Sequence, residues 1–244
     1  MGVAGGTTTR ITPGLFWRVE TLGRTVLVGL ATGAVIGGIG GRLAMLVLRL
    51  TSDPNLHGLQ TDDDFTIGVV SSATLFLVGV TAVLGAFGAV AYLIVRAWLP
   101  ERVRPWIVAG LAGVIGGAEA IRPGGIDFTR LEPLSLAVAM FVALPFMYGY
   151  AMSRFVDRSL SRSTGRPPVR AWIAAGLFPI LLAFIGQLGL LGAGVLLVFL
   201  VAPLPPVLAA LWSSAVVRWA GRAALVAAAA WWTAALASDV TEVL

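Results

Sequence analysis

The side chains that could bind an ion collect first in the acidic stretch from Asp53 to Asp64. Four of its residues occupy positions one, three, six and twelve of an EF-hand calcium loop: Asp53, Asn55, Gly58 and Asp64. His57 stands where that loop usually has an oxygen ligand, and Asp64 is shorter than the glutamate usual at the last position. The stretch is a candidate site for a divalent cation or a protein partner, formed by Asp53, Asn55, His57, Asp62, Asp63 and Asp64.

The same acidic residues also have a structural interpretation. Thr61 can cap the helix that follows, because its hydroxyl can accept a hydrogen bond from a free backbone N–H of the first turn. Asp62, Asp63 and Asp64 would then lie at the positive N-terminal end of that helix, where carboxylates are stabilising. Helix capping, cation binding and partner binding therefore all stay open for this stretch.

His57 is the only histidine, and the sequence has neither cysteine nor lysine. A thiolate site, a histidine-paired nucleophile, a multi-histidine metal centre and a lysine Schiff base are therefore excluded within this chain. His57 is either a solvated loop residue or an external pH sensor that titrates at about pH 6.5. The sequence predicts no cofactor.

A second set of charges lies where two predicted helices approach the outer surface. At about 1.5 Å per residue, Arg42 lies about 25 Å along its helix and Glu119 about 20 Å along another, so the two could form an ion pair. Alternatively, Arg42 extends to the surface by itself. An ion pair could be a static latch between external loops or part of a vestibule that recognises a charged or polar solute. The candidate vestibule comprises Arg42, Glu119, Arg122, Asp127, Arg130 and Glu132.

The composition places these charges in a membrane protein. Hydrophobic residues make up 58% of the 244 positions and charged residues 12%, and the mean hydropathy is +0.92. A soluble domain usually has about a quarter charged residues. The formal net charge of +5 does not indicate nucleic-acid binding, because the arginines lie between apolar blocks rather than along one patch.

The apolar blocks predict an all-α, polytopic bundle of about seven transmembrane helices. A crossing needs roughly 20 apolar residues, fewer where flanking arginines reach the headgroups. The last segment is short, so six crossings are possible if it lies on the surface. Residues 1–24 are predicted to be a cytoplasmic, partly disordered segment, and residues 25–240 a single transmembrane domain. The predicted segments are Thr25–Leu50, Phe65–Val95, Trp106–Ile121, Leu134–Phe155, two within Ala171–Val217 on either side of a turn near Gln187–Gly192, and Ala223–Ser238.

The connections between these segments alternate in charge, which predicts their orientation. Short cytoplasmic connections of membrane proteins collect arginine. The arginine-rich connections are the N-terminal segment, Arg96–Arg104, Arg154–Arg170, and Arg218 with Arg222. The alternate connections hold most of the acids, so the N-terminus is predicted to be cytoplasmic and any polar site to face outward.

Glycines and prolines mark the predicted helices. Gly29, Gly33, Gly37 and Gly41 recur every four residues, and Gly113 and Gly117 repeat the spacing, which predicts faces for close helix packing. A glycine-lined pathway or a homodimer seam is the alternative. Pro203, Pro205 and Pro206 must interrupt the sixth helix. That break is either a simple kink or part of a binding site, because transporters build sites from broken helices.

Several short strings of the chain lie between about Leu22 and Arg158: Gly41–Met45, the run Thr61–Gly68, Arg96–Pro100, Ile126–Phe128, and Leu144 with Pro145. Together they resemble a family of uncharacterised multi-pass membrane proteins from high-GC actinobacteria. The resemblance implies the membrane class and a bacterial plasma (inner) membrane, and it brings no activity.

Two classes of function are predicted. In the first, the chain is a non-catalytic component of a membrane complex that contacts the lipid bilayer and binds a membrane-protein partner or a second copy of itself. In the second, it is a transporter or channel for a small solute or ion, with the charged vestibule facing outward. An enzyme acting on lipid headgroups is a distant third, because the sequence contains no HExxH, GxSxG or P-loop motif.

Overall fold

In a computed structural model of the chain, the described residues are 15–51, 72–124, 133–162, 168–184 and 214–244. These residues form six continuous helices, which confirms the all-α prediction. The first helix contains a π-helical segment, and the others are α-helical. The elements are α1 (Leu15–Thr32), the π segment (Gly33–Gly40), α2 (Gly41–Thr51), α3 (Ser72–Val95), α4 (Arg104–Ala120), α5 (Leu134–Ser161), α6 (Val169–Phe184) and α7 (Ala215–Val243).

Four of the described helices are long and apolar enough to cross a membrane. They make the chain a candidate multi-pass membrane protein and suggest contact with a lipid bilayer. The helices α4 and α6 are shorter, with 17 and 16 residues, and the predicted sixth segment lies outside the described residues. The four stretches are Arg18–Leu48, Thr74–Val95, Leu134–Ser161 and Ala215–Val243.

The first and last helices are longer than the apolar pattern alone predicts. The helix α1 begins at Leu15, and its early residues Val19 and Leu22 are buried against α3 and α6. The helix α7 has 29 residues and follows Ser214, whose hydroxyl accepts a hydrogen bond from the backbone N–H of Val217 at 3.3 Å. At 1.5 Å per residue, α7 is about 43 Å long, so its length suffices for a membrane crossing.

Contacts between helix ends show which ends lie on the same side of the bundle. Hydrogen bonds and ion pairs join Arg24 to Ser159, Arg104 to Asp157, and Arg222 to Trp98. The helices α1, α4 and α7 therefore begin, and α3 and α5 end, at the same side of the bundle. We call this side, which carries Arg24, Arg96, Arg104 and Arg222, the arginine-rich end. Residues from α2, α5, α7 and the end of α4 form an apolar cluster at the opposite end: Leu48, Ala137, Val243 and Ile121.

Glycines bring α1 and the π segment against α3. A Cβ atom at Gly29 would lie 2.5 Å from the carbonyl oxygen of Gly85, and one at Gly33 would overlap the carbonyl oxygen of Thr81. The contacts are between backbones, so no rotamer change could relieve such an overlap. The two helices approach this closely only because glycine has no side chain.

The π segment changes which glycines face α3 further along the helix. Its hydrogen bonds run from residue i to i+5 instead of i+4, so the face that follows Gly33 no longer repeats every four residues. Gly33 and Gly38, five residues apart, are both buried, and Gly38 packs against Val78. Gly37 still meets Thr81, whereas a Cβ added at Gly41 would have no atom within 4 Å. The stripe predicted from Gly29 to Gly41 therefore ends before its last member.

A second close contact joins α4 to α5. A Cβ at Gly117 would lie 2.8 Å from Val142, one at Gly113 would lie 3.1 Å from Phe146, and one at Gly149 would lie 2.7 Å from the carbonyl oxygen of Val108. Tyr148 of α5 also reaches α3, where its hydroxyl donates a 2.6 Å hydrogen bond to the carbonyl oxygen of Gly85. The helix α5 is thus held against both α4 and α3.

Candidate functional site

The most extensive set of polar contacts in the described part of the chain surrounds Asp157, near the end of α5. Its Oδ2 accepts hydrogen bonds from the Tyr92 hydroxyl at 2.8 Å and from Arg104 Nη1 at 3.2 Å. Its Oδ1 lies 3.3 Å from Arg96 Nη2. Arg104 also donates to the carbonyl oxygen of Leu99 at 3.3 Å. One carboxylate therefore joins α5 to α3 and to the start of α4.

Local sequence positions the partners of Asp157. Tyr92 and Arg96 are four residues apart, so they lie on the same face where α3 ends. Arg104 begins α4 and precedes Pro105, a residue that favours the first turn of a helix. Only 8% of Arg104 is exposed. A buried guanidinium needs a counter-charge, and Asp157 supplies it.

A second ion pair lies on α1 at the same end. Glu20 is fully buried, and its Oε1 is 2.8 Å from Nη2 of Arg24. Arg24 also donates through Nη1 to the carbonyl oxygen of Ser159, at 3.3 Å. The pair therefore links α1 to the last turn of α5, close in sequence to Asp157.

The turn between α3 and α4 is held by α7. Arg222 Nε donates a 2.7 Å hydrogen bond to the carbonyl oxygen of Trp98, and the Arg222 guanidinium lies 5.2 Å from the centre of the Trp219 ring. A Cβ at Gly221 would overlap the Trp98 ring. Glycine at this position lets the tryptophan lie flat against the α7 backbone.

These contacts connect helices to one another. Each carboxylate in them is matched by at least one guanidinium, and most of the remaining donors bind backbone carbonyl oxygens. The described residues contain no group of three or more histidine, aspartate or glutamate side chains that could hold a metal ion. The arrangement can fix the relative positions of five helices at the arginine-rich end.

The predicted vestibule is described only in part. Arg42 of α2 is half-buried, whereas Glu119 of α4 and Arg122 are exposed. The ion pairs and hydrogen bonds seen between described residues do not include a contact of Arg42 with Glu119. The other vestibule residues, Asp127, Arg130 and Glu132, lie outside the described residues. The vestibule stays a prediction.

The other two predicted sites also lie outside the described residues. They are the outer acidic loop, with Asp53, Asn55, His57, Asp62, Asp63 and Asp64, and the helix break at Pro203, Pro205 and Pro206.

The contacts of Asp157 are not among those predicted from the sequence. The charge pattern places Asp157 in an arginine-rich connection, but α5 continues to Ser161 and carries it within a helix. A usable signal is present, since Asp157 is the only acid between Glu132 and Asp239 and arginines stand at the neighbouring helix ends. An isolated acid among arginines at helix ends indicates an ion pair.

Comparison with known proteins adds no identification. No protein-family model, no curated protein and no solved structure matches the chain.

Proposed function

We propose that this chain is a non-catalytic component of a membrane complex, inserted in a bacterial plasma membrane with its N-terminus in the cytoplasm. The observation that carries the proposal is that the described polar and glycine residues contact other helices of the same chain. Asp157, Glu20 and their arginines bind helix ends to one another. Most of the predicted glycine faces, including Gly29, Gly33, Gly113 and Gly117, pack against neighbouring helices of the same chain. The bacterial setting of the proposal is the one that the resemblance of the sequence to an actinobacterial membrane-protein family implies.

The packing of α1 on α3 favours a component over a transporter. A pathway lined by Gly29 and Gly33 would run along the line that the backbone of α3 occupies, next to Thr81 and Gly85. Opening it would require the two helices to separate. The same contacts leave Gly29 and Gly33 unavailable as a seam for a second copy, so a partner must bind elsewhere.

The arrangement of helix ends supports seven crossings. Gly23 of α1 touches Ala171 of α6, so α6 begins at the arginine-rich end, where α7 also begins. This arrangement of ends agrees with the sixth crossing predicted from the sequence, which lies outside the described residues. Because short cytoplasmic connections collect arginine, we assign the arginine-rich end to the cytoplasm.

The helix α7 offers the most suitable surface for a partner. Trp231 is 74% exposed and lies about 24 Å from the beginning of α7, near the middle of a helix about 43 Å long. Tryptophans of membrane proteins usually lie at the two interfaces, where the indole N–H can reach water. A mid-helix tryptophan that points away from the other described helices is well placed to pack against a helix of another protein.

The test of this proposal is purification of the full chain from its native membrane in mild detergent. We expect a stoichiometric membrane-protein partner to co-purify with the wild-type chain and to be lost from Trp231→Ala. Trp219→Ala is the matched control, because Trp219 is also exposed on α7 but lies near the arginine-rich end, where interfacial anchoring explains it. A chain that purifies alone, or a partner retained by Trp231→Ala, would contradict the proposal. Flux of a solute in proteoliposomes that Arg42→Ala or Glu119→Gln alters would favour the transporter instead.

The proposed orientation predicts a labelling pattern. The sequence has no cysteine, so single cysteines can be introduced without removing others. We expect a membrane-impermeant maleimide to label Ser238→Cys, near the end of α7, in intact spheroplasts, because that position faces outward. Glu101→Cys, in the turn between α3 and α4, should be labelled only after the membrane is permeabilised. The reverse pattern would place the N-terminus outside, and labelling of both positions in intact spheroplasts would mean an even number of crossings between them, which contradicts the proposed five.

A further inference from the structure

An apolar groove runs between α1 and α6 beside the arginine-rich end. Its volume is about 190 Å³. Its walls are aliphatic, and one charged side chain stands among them. The lining residues include Val26, Leu27, Leu30, Arg170, Ile173 and Leu177.

The groove follows from how the two helices pack. At Gly23 the backbone of α6 comes into direct contact with α1, at Ala171. One turn further along, Ala174 is buried and small, so it leaves room between the larger side chains of Leu27 and Ile173. Ile173 and Leu177 are about half exposed, so the described helices leave the groove open along its length.

Arg170 lines the groove with its aliphatic stem, so its guanidinium lies beside the apolar walls rather than among them. The side chain is exposed and, in the described part of the chain, forms no ion pair or hydrogen bond. The first turn of α6 contains no acid. Glu20 of the facing helix is already bound to Arg24. Among the described residues, no acid therefore compensates the positive charge of Arg170 beside this apolar surface.

We infer that this groove binds an anionic phospholipid, with one acyl chain lying along Leu27, Leu30 and Leu177 and the headgroup phosphate against Arg170. The inference rests on the proposed membrane insertion. The apolar walls would not distinguish one lipid from another, because a chain leaving the bilayer for the groove exchanges one apolar environment for another. Selection must come from the headgroup, and basic residues between membrane helices on the cytoplasmic side are suited to anionic headgroups.

The experiment is native mass spectrometry of the full chain, purified in detergent and titrated with phosphatidylglycerol or phosphatidylcholine of the same acyl chains. We expect the wild-type chain to retain phosphatidylglycerol preferentially, and Arg170→Gln to reduce that preference about fivefold. Arg170→Lys should keep most of it, because the charge is retained. Arg218→Gln is the matched control, since Arg218 is an exposed arginine in the first turn of another helix at the same end. It should behave as the wild type.

The outcomes separate the possible sources of binding. An equal preference in the wild type and Arg170→Gln, or an equal loss in Arg170→Gln and Arg218→Gln, would overturn the inference. Competition by millimolar inorganic phosphate equal to that by phosphatidylglycerol would also overturn it, because the acyl chain would then contribute nothing. Extraction of the chain from membranes by alkaline carbonate would instead refute membrane insertion. A chain that resists extraction but shows no lipid preference would refute only the groove.

Discussion

Gly85→Ala is expected to lower the free energy of unfolding by about 2 kcal/mol, whereas Gly79→Ala on the same helix should leave it unchanged or raise it. A Cβ at Gly85 would overlap the carbonyl oxygen of Gly29 and lie 2.7 Å from Cα of Gly33. Both atoms belong to the backbone of the first helix, so the two helices would have to move apart. At Gly79 no atom lies within 4 Å of the added methyl group.

The two substitutions are expected to change the free energy of unfolding in opposite directions, because both gain helix propensity but only one meets a neighbouring backbone. In a helix interior, alanine is favoured over glycine by about 1 kcal/mol. Gly79→Ala gains this preference and meets no neighbour. Gly85→Ala gains it too, but the backbone overlap costs more.

Thermal unfolding of both variants in one detergent would measure the difference. For a chain of this size, about 2 kcal/mol corresponds to a Tm lowered by about 4 to 8 °C. Equal Tm values for the two variants would mean that α1 and α3 do not meet at Gly85. The glycine packing would then need a different partner.

Asp157→Asn is the second substitution with a large expected effect, a loss of about 2 kcal/mol in the free energy of unfolding. Asparagine keeps the shape of the side chain and can still accept a hydrogen bond from Tyr92. It removes the negative charge that faces Arg96 and Arg104. Breaking a fully buried pair costs about 3 to 5 kcal/mol, but the Asp157 side chain is 30% exposed and water offsets part of that cost.

The origin of the effect can be isolated with a double-mutant cycle. If the cost comes from leaving Arg104 without its counter-charge, Arg104→Gln combined with Asp157→Asn should be less damaging than the sum of the two single variants. Strict additivity would show that the two side chains do not interact. Glu101→Gln is the control, because Glu101 is an exposed acid in the neighbouring turn, and we expect its Tm to stay within about 1 °C of the wild type.

Much of the helical framework could be predicted because apolar length determines membrane helices. The predicted start of the fourth segment, Leu134, and the predicted end of the second, Val95, coincide with ends of described helices. The end of α7 could not be predicted in this way. Ala223–Ser238 is its most apolar part, but the helix includes Arg218 and Arg222 before it and Asp239 after it. A segment predicted from hydropathy ends at the first charged residues, whereas the backbone hydrogen bonds of the helix continue through them.

The glycine spacing predicts close packing but not the place where the packing face turns. A spacing of four residues assumes an α-helix throughout. The π segment from Gly33 to Gly40 breaks that assumption, so Gly38 takes a place in the contact and Gly41 leaves it. The sequence carries no obvious sign of the change, since the same glycines suit both kinds of helix.

Loop charge predicts which connections share a side but not which charges meet. That prediction uses only the number of arginines in each connection. It therefore says nothing about the distances between Arg24, Arg96, Arg104 or Arg222 and particular acids. The contacts of Asp157 and Glu20 depend on how far α5 and α1 extend past their apolar parts. Those extensions are visible only in three dimensions.

The contact of α7 with the turn between α3 and α4 has a consequence for the order of assembly during synthesis. Trp98 leaves the ribosome well before Gly221 and Arg222, the residues that later cover its ring and bind its carbonyl oxygen. A chain that stops short of α7 would lack both contacts, so the turn between α3 and α4 reaches its final packing only after α7 has been made.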